Sequence, residues 1–315
     1  MGNALDENTI NIKETAKTYG SGLLFAILVG FSFVGLKTMV QFANALEVIT
    51  YRYTFAFVAL MICLIFRIIK IELRGKPIIK KAVPTASFYI LFMILQAAGL
   101  KFATSIESGI IFAIIPIFAS ILSAVIMKEK ATIAQSLFMM LSISSLIVMI
   151  LFGATNLHIN FLGVSLLLLS SLCMAINNVL MRYLRSEFKA MEMTTVIIFE
   201  GFILLNLICI TWEIISGNLG NYFSLITNPT FVLAGAYLGI PCTLISAALM
   251  AYIVGRIIAV KATIFGNLST AISIVAGALV LREPLYWYHI LCTSLIIAGV
   301  IGISAAGTKM KANKG

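Results

Sequence analysis

Apolar residues in this chain come in long runs, separated by short polar connections. Ten runs stand out, at about 20–38, 47–68, 83–100, 105–126, 132–152, 160–181, 194–215, 230–254, 262–281 and 286–306. Each is near the ~20 residues a helix needs to cross the hydrocarbon core of a bilayer. Helices are the expected element, because backbone groups facing lipid must bond within their own segment. The alternating ~10-residue strands of a membrane barrel are absent from the pattern.

Composition agrees. The 315 residues are 61% hydrophobic and 11% charged, with a mean hydropathy of +1.08. A soluble domain carries roughly 25% charged residues, and no globular core hides this much apolar surface. The opening "MGNALDENTINIKETAKTYG" is polar, without the basic-then-apolar start of a cleavable signal peptide. The first run is therefore expected to stay as an anchor behind a tail of residues 1–19. Asp6 stands where a myristoylation site wants Ser or Thr. Cys63, Cys173, Cys209, Cys242 and Cys292 all fall inside runs and form no CxxC pair. They read as small buried apolar residues, not as disulfides or metal ligands.

The net charge of +10 would suit a nucleic-acid partner if it were clustered on a folded surface, but its position says otherwise. With ten spans and a cytoplasmic N-terminus, 18 of the 22 Lys and Arg residues fall on the cytoplasmic side. The exceptions are Lys37, Arg52, Lys101 and Arg282. The opposite connections "FGATNLHIN" and "SGNLGNYFSLITNPT" carry no basic residue. This is the positive-inside pattern, and it predicts that both termini are cytoplasmic. The charge reads as a topology signal, with contact to anionic lipid as a secondary role. No nucleic-acid partner is expected.

Two apolar runs end alike, in "SAVIMKEK" and "ALVLREPL", with Glu129 and Glu283 standing 154 residues apart. Lys37 and Arg182, each near the end of a span, are 145 apart. Both registers point to a repeat of roughly 150 residues. A unit of five spans is odd, so its second copy enters the membrane inverted, with the substrate site near the midplane between the halves. The expected fold is an all-α membrane protein of ten transmembrane helices in two inverted five-helix repeats. The repeats would span 20–153 and 160–306, with a C-terminal tail at 307–315.

The two five-span halves and the endings "VIMKEK" and "LVLREPL" resemble EamA-type permeases of the drug/metabolite transporter superfamily. So do the early arginine of "YRYTFAFVAL" and the small-residue span "SSLCMAINNVLMR". The resemblance covers about 20–306. It departs at Glu129, followed by Lys130 rather than proline, and at "GFSFVG", where phenylalanine replaces a tryptophan common in the family. The resemblance implies a cofactor-free carrier of small metabolites, lined by spans 1, 3, 4, 6, 8 and 9. In bacteria such carriers often export amino acids or related compounds.

Charges inside hydrocarbon are costly and usually face a cavity or a partner. Arg52 is either a fixed charge for a carboxylate-bearing substrate or a structural partner of an acid such as Glu47. Glu200, in "TTVIIFEGFILLNLICI", has no basic residue on its own span. It is either a proton carrier for coupling or a neutral hydrogen-bonded acid. Lys101 and Glu107 read as a pair across a short turn. Glu129 and Glu283 are structural markers of the repeat ends. Gln96, Asn177, Asn178, Ser246, Tyr252, Asn267 and Ser269 are the substrate-cavity candidates, with simple helix association as the other reading. Adjacent residues on a helix point ~100° apart, so only one of Asn177 and Asn178 is expected to face the cavity. Pro116 and Pro241 sit mid-span, where proline removes a backbone hydrogen bond and kinks a helix.

No GxxxxGK[ST] suggests ATP-driven pumping and no HExxH suggests a protease. His158 and His289, the only histidines, lie in different halves near membrane edges, and a metal site would need more ligands than these. The expected function is secondary transport of a small metabolite across a bacterial plasma membrane by alternating access, with export of an amino acid or similar compound leading. The alternatives are uptake, a drug- or sugar-type cargo on the same fold, or a non-transport role such as lipid scrambling. Proton coupling and a homodimer remain open expectations. No cofactor, metal or enzymatic activity is expected.

Overall fold

A computed structural model describes residues 2–126, 133–155, 160–217, 219–254 and 259–312. Glu129 and His158 lie outside these residues, and the side chain of Asn267 is also outside the described part. Among the described residues the chain folds into helices and turns, without a strand.

The first half contains α1 (Gly2–Met39), α2 (Ala45–Ile65), α3 (Val83–Leu100), α4 (Ser105–Phe112), α5 (Ile115–Ile126) and α6 (Ile133–Thr155). The second contains α7 (Phe161–Tyr183), α8 (Ala190–Ile215), the short α9 (Leu219–Ser224), α10 (Pro229–Gly239), α11 (Ser246–Val254), α12 (Ala259–Val280) and α13 (Trp287–Ala312). The polar opening is thus helical, continuous with the first apolar run. It has no proline, and glycine only at Gly2 and Gly20.

Polar residues mark the helix starts. Asn44 and Glu47 form a reciprocal capping box on α2, and Thr104 and Glu107 form one on α4. Asn160 and Asn228 accept from the first turns of α7 and α10. The two mid-span prolines break their helices in different ways. Span four splits at residues 113–114, just before Pro116, into α4 and α5. Around Pro241, span eight widens into a π-helical stretch, Ile240–Ile245, between α10 and α11.

Packing follows one scheme in both halves. α1 runs along α12, and α4 with α5 runs along α7. α3 packs on α7, and α10 with α11 packs on α1. α2 pairs with α8, and α6 with α13. Exchanging the helices of the first half for their counterparts in the second swaps the first two pairs with each other, swaps the next two likewise, and maps α2–α8 and α6–α13 each onto itself.

Small residues allow the close approaches, as expected where lipid supplies no hydrophobic drive between helices. At Gly30 of α1 a Cβ would stand 2.6 Å from Ile272 of α12. At Gly239 it would stand 2.6 Å from the Arg52 carbonyl oxygen, so α2 and α10 cross in backbone contact there.

Seven helical segments among the described residues are long and apolar enough to cross a membrane. They are Ala16–Met39, Ala45–Ile65, Ile78–Leu100, Ser105–Val125, Phe161–Ser186, Ala190–Ile215 and Pro229–Ile253. Three shorter apolar stretches, Ile133–Met149, Leu268–Val280 and Trp287–Gly302, occupy the remaining expected positions.

The two ends of the bundle differ. At one, the basic connections after α2 and α7 meet through the ion pairs Lys76–Glu192 and Lys81–Glu187. At the other, carboxylates cap helix starts. We refer to these as the basic end and the capped end.

Candidate functional site

Arg52 lies seven residues into α2 and is 4% exposed. Glu47 is committed to its capping box with Asn44, so it does not serve Arg52 as the sequence suggested. Instead the Arg52 Nε donates to the Thr243 Oγ1 at 3.0 Å. Thr243 belongs to the π-helical stretch in the other half, and its hydroxyl donates to the Leu238 carbonyl at 2.8 Å. The close crossing at Gly239 and the opened turn at Pro241 together bring the guanidinium to this hydroxyl. Among the described residues no carboxylate lies within ion-pair distance of Arg52. The buried Tyr53 hydroxyl has no hydrogen-bond partner among the described residues.

Gln96 shares the α3 face of Tyr89, two turns along. It is buried, and its Oε1 is unpaired. Asn177 is likewise buried, at 2% exposure, with its Nδ2 unpaired. Asn178 is exposed. Nine residues separate it from the exposed Leu169, a rotation of about 180°. Asn178 therefore opens onto the side of α7 opposite Leu169, the side it shares with Met174 and Met181. Two buried amides with unmet hydrogen-bonding capacity are costly in a static core and useful beside a polar guest.

The other candidates are placed differently. Ser246 donates to Cys242 O at 2.7 Å and Ser269 to Gly266 O at 2.6 Å, both within their own spans. Tyr252 packs under Lys17, whose Nζ stands 5.7 Å from the ring centre. Asn206 belongs to a structural network with Thr54 and Tyr222, and Tyr51 donates to the Tyr222 carbonyl.

Glu200 is set apart from Arg52, on the flank of α8. Its Oε1 lies 2.6 Å from the Ser87 Oγ of α3, and its Oε2 is buried without a partner. Ser87 Oγ is also 3.1 Å from the Val83 carbonyl oxygen. A hydroxyl has one proton to donate. When Glu200 is ionised, Ser87 donates to it; when Glu200 is protonated, the acid donates to Ser87 and Ser87 donates to Val83. The pair accommodates either state without moving a helix. Glu200 lines a cavity of about 870 Å³ between α2, α3 and α8.

At the capped end, α12 stops at Val280. Arg282 takes a left-handed φ of 54°, and the Glu283 N–H returns to the Gly277 carbonyl. This turn aims the Glu283 carboxylate at α4, where it accepts from Ser105 N at 2.8 Å and Ile106 N at 3.1 Å. The sequence marked Glu283 as a repeat ending. Its partner, a helix start 177 residues away in the other half, carries no local signal.

Lys37 lies beside it and donates to the carbonyls of Leu100, at 2.6 Å, and Ala103. Glu107 is held by Thr104, and no Lys101–Glu107 ion pair forms among the described residues, contrary to the sequence reading. Below these groups Phe112 packs between Phe33 and Phe92 in tilted contacts, with centroids 5.6 and 5.5 Å away. The capped end thus sets backbone caps above a cluster of aromatic rings. Here α4 packs on both α12 and α7, and α5, beyond the break before Pro116, continues along α7.

Comparison with known proteins places this geometry. The model of the EamA-like transporter family matches twice, over residues 17–151 and 161–305. The chain belongs to the EamA-like transporter family. It is 34% identical over 286 residues to "Uncharacterized transporter YcxC" of Bacillus subtilis (strain 168), covering 90% of this chain and 91% of the relative. A crystal structure described only as "Crystal structure of protein" shares the fold at a TM-score of 0.58. It has 13% identity and covers 94% of this chain and 99% of its own. This EamA-type permease is a multi-pass integral protein of the bacterial plasma membrane that transports a small molecule.

Proposed function

We propose that this permease is a ten-span secondary transporter exporting an amino acid or a similar carboxylate-bearing metabolite by alternating access. The observation that carries the reading is Arg52: a buried cation with no carboxylate partner among the described residues, bonded instead to a hydroxyl in the opposite half. A fixed guanidinium of this kind suits a substrate carboxylate, because its planar fork pairs bidentately. The unpaired Tyr53 hydroxyl, Gln96 and Asn177, together with the open Asn178, supply polar contacts for the rest of the guest.

In this reading residues 20–153 and 160–306 are the two repeats, inverted relative to each other, with tails 1–19 and 307–315. The exchange symmetry of the helix pairs supports the duplication. The basic end faces the cytoplasm and carries both termini, by the positive-inside rule. The capped end is then the outer end. Glu283 joins the halves there, so the conformation described is closed to the outside. Opening outward requires α4 and α12 to part. Glu200, with its hydroxyl partner Ser87, is the candidate proton carrier.

Metabolite profiling tests the reading. Medium and cytosol of cells producing the permease would be compared with those of cells producing Arg52→Gln. A carboxylate-bearing compound that accumulates outside only with the intact protein is expected. Accumulation inside would reverse the direction. A cargo lacking any carboxylate, or equal profiles across several media, would remove the role given to Arg52. For coupling, Glu200→Gln that keeps full rate and full pH dependence would end the proton-carrier assignment.

A further inference from the structure

The cavity above Glu200 is not part of the Arg52 site. Its thirteen lining residues come from α2, the connection after it, the start of span three and α8. Ten are apolar, Ser87 and Thr195 are polar but neutral, and Glu200 is the one ionisable group. Its volume of about 870 Å³ lies within the roughly 300–1,000 Å³ of small-molecule sites. The wall residues Ile203 and Leu207 are 60% and 65% exposed, so the cavity opens sideways onto the bilayer-facing side of α8.

We propose that this lateral groove binds a lipophilic amine, an organic cation with an apolar body, taken directly from the membrane core. Charge complementarity selects the head: the only ionisable lining group is an acid, one of whose oxygens is buried without a partner. Ser87 holds Oε1, and a turn of the carboxylate would bring the enclosed Oε2 to an ammonium in the groove. The walls select the body: Leu64, Ile71, Leu73, Phe199, Ile203 and Leu204 enclose an alkyl chain or ring. Depth selects the source. Glu200 is ten residues into α8, about 15 Å along its axis from the basic end. That is deeper than a phospholipid headgroup sits, so the amine is a free amphiphile and not a lipid headgroup. Gly201 packs against the Tyr53 ring. An occupant would therefore stand one side chain away from the Arg52 site.

The test uses full-length permease in lipid nanodiscs and three photoreactive dodecyl probes that differ only in the head: amine, alcohol or carboxylate. Cross-linked peptides are mapped by mass spectrometry. The expected result is saturable labelling of residues 199–207 and 64–73 by the amine alone. Labelling should fall at least tenfold in Glu200→Gln and in Ile203→Trp, which fills the groove and leaves the acid in place. Equal labelling by all three probes would mean a groove that ordinary acyl chains fill, and would overturn the proposal. So would saturable amine labelling that survives Glu200→Gln in a protein of unchanged thermal stability. The readout is binding, so its failure is separate from any failure of the transport reading.

Discussion

Replacing Glu283 with alanine should open the capped end, the outer one in the proposed orientation. The carboxylate accepts from two backbone N–H groups at the start of α4, and both donor residues, Ser105 and Ile106, are fully buried. Water cannot replace the lost acceptor without parting the helices. Hydrogen bonds to a charged group contribute about 1.5–3 kcal/mol, and a lost helix cap costs about 0.5–2 kcal/mol. The two values overlap because they describe the same contacts, so the closed state should lose about 2–3 kcal/mol. If that loss falls on the outward-closed state alone, the closed-to-open ratio falls about 30- to 150-fold. The assay is labelling by a membrane-impermeant maleimide added outside cells, at Ser108→Cys, in a background whose five native cysteines are replaced by alanine. Ser108 lies buried in the turn below the cap. Labelling should be slow with Glu283 present and at least tenfold faster with Glu283→Ala. Glu283→Gln, which keeps one acceptor oxygen, should fall between. An unchanged labelling rate together with a lowered melting temperature would refute the latch: Glu283 would then stabilise every conformation equally.

Arg52→Lys should lose most transport despite keeping the charge, because an ammonium cannot bond Thr243 and fork a carboxylate in the same geometry; initial rates of substrate efflux measure this. Gly239→Leu should abolish stable folding, since even a Cβ there stands 2.6 Å from a backbone oxygen of α2; monodisperse yield on size exclusion is the readout. Asn206→Leu should cost about 1–3 kcal/mol by removing the acceptor of the Tyr222 hydroxyl, lowering the melting temperature while leaving substrate KM unchanged.

The helical architecture was legible because lipid imposes a one-dimensional rule: apolar runs of spanning length, with charge at their ends. The basic residues that delimit the runs are the same ones that meet in space at the basic end, including Lys76 and Lys81. Chemistry within spans was less legible, because it depends on which helices cross. Arg52 and Glu200 stood out as charges in apolar sequence. Their partners, Thr243 and Ser87, lie 191 and 113 residues away and are common residue types. Glu47 and Glu107 were misjudged for a specific reason. Each sits at the third position of a helix whose cap is Asn44 or Thr104, and local capping outcompetes a distant or flexible cation. That signal, Asn or Thr followed three residues later by Glu, was present in the sequence.

The placement of charge separates structural groups from the ones proposed to be functional. Glu47, Glu107, Glu283 and Lys37 all stand at the capped end and spend their charge on backbone N–H or carbonyl groups. They satisfy helix ends that would otherwise be unmet in a non-aqueous bundle. Arg52 and Glu200 are mid-span, where the backbone is already satisfied, and each keeps only one neutral hydroxyl partner among the described residues. They do not neutralise each other: Tyr53 lies near both, and neither forms an ion pair there. A protein that needed these charges only for folding would gain by pairing them or by removing both. Keeping them apart, each beside unmet polar atoms, leaves a cation for a carboxylate in the centre and an acid for a proton or an amine on the flank.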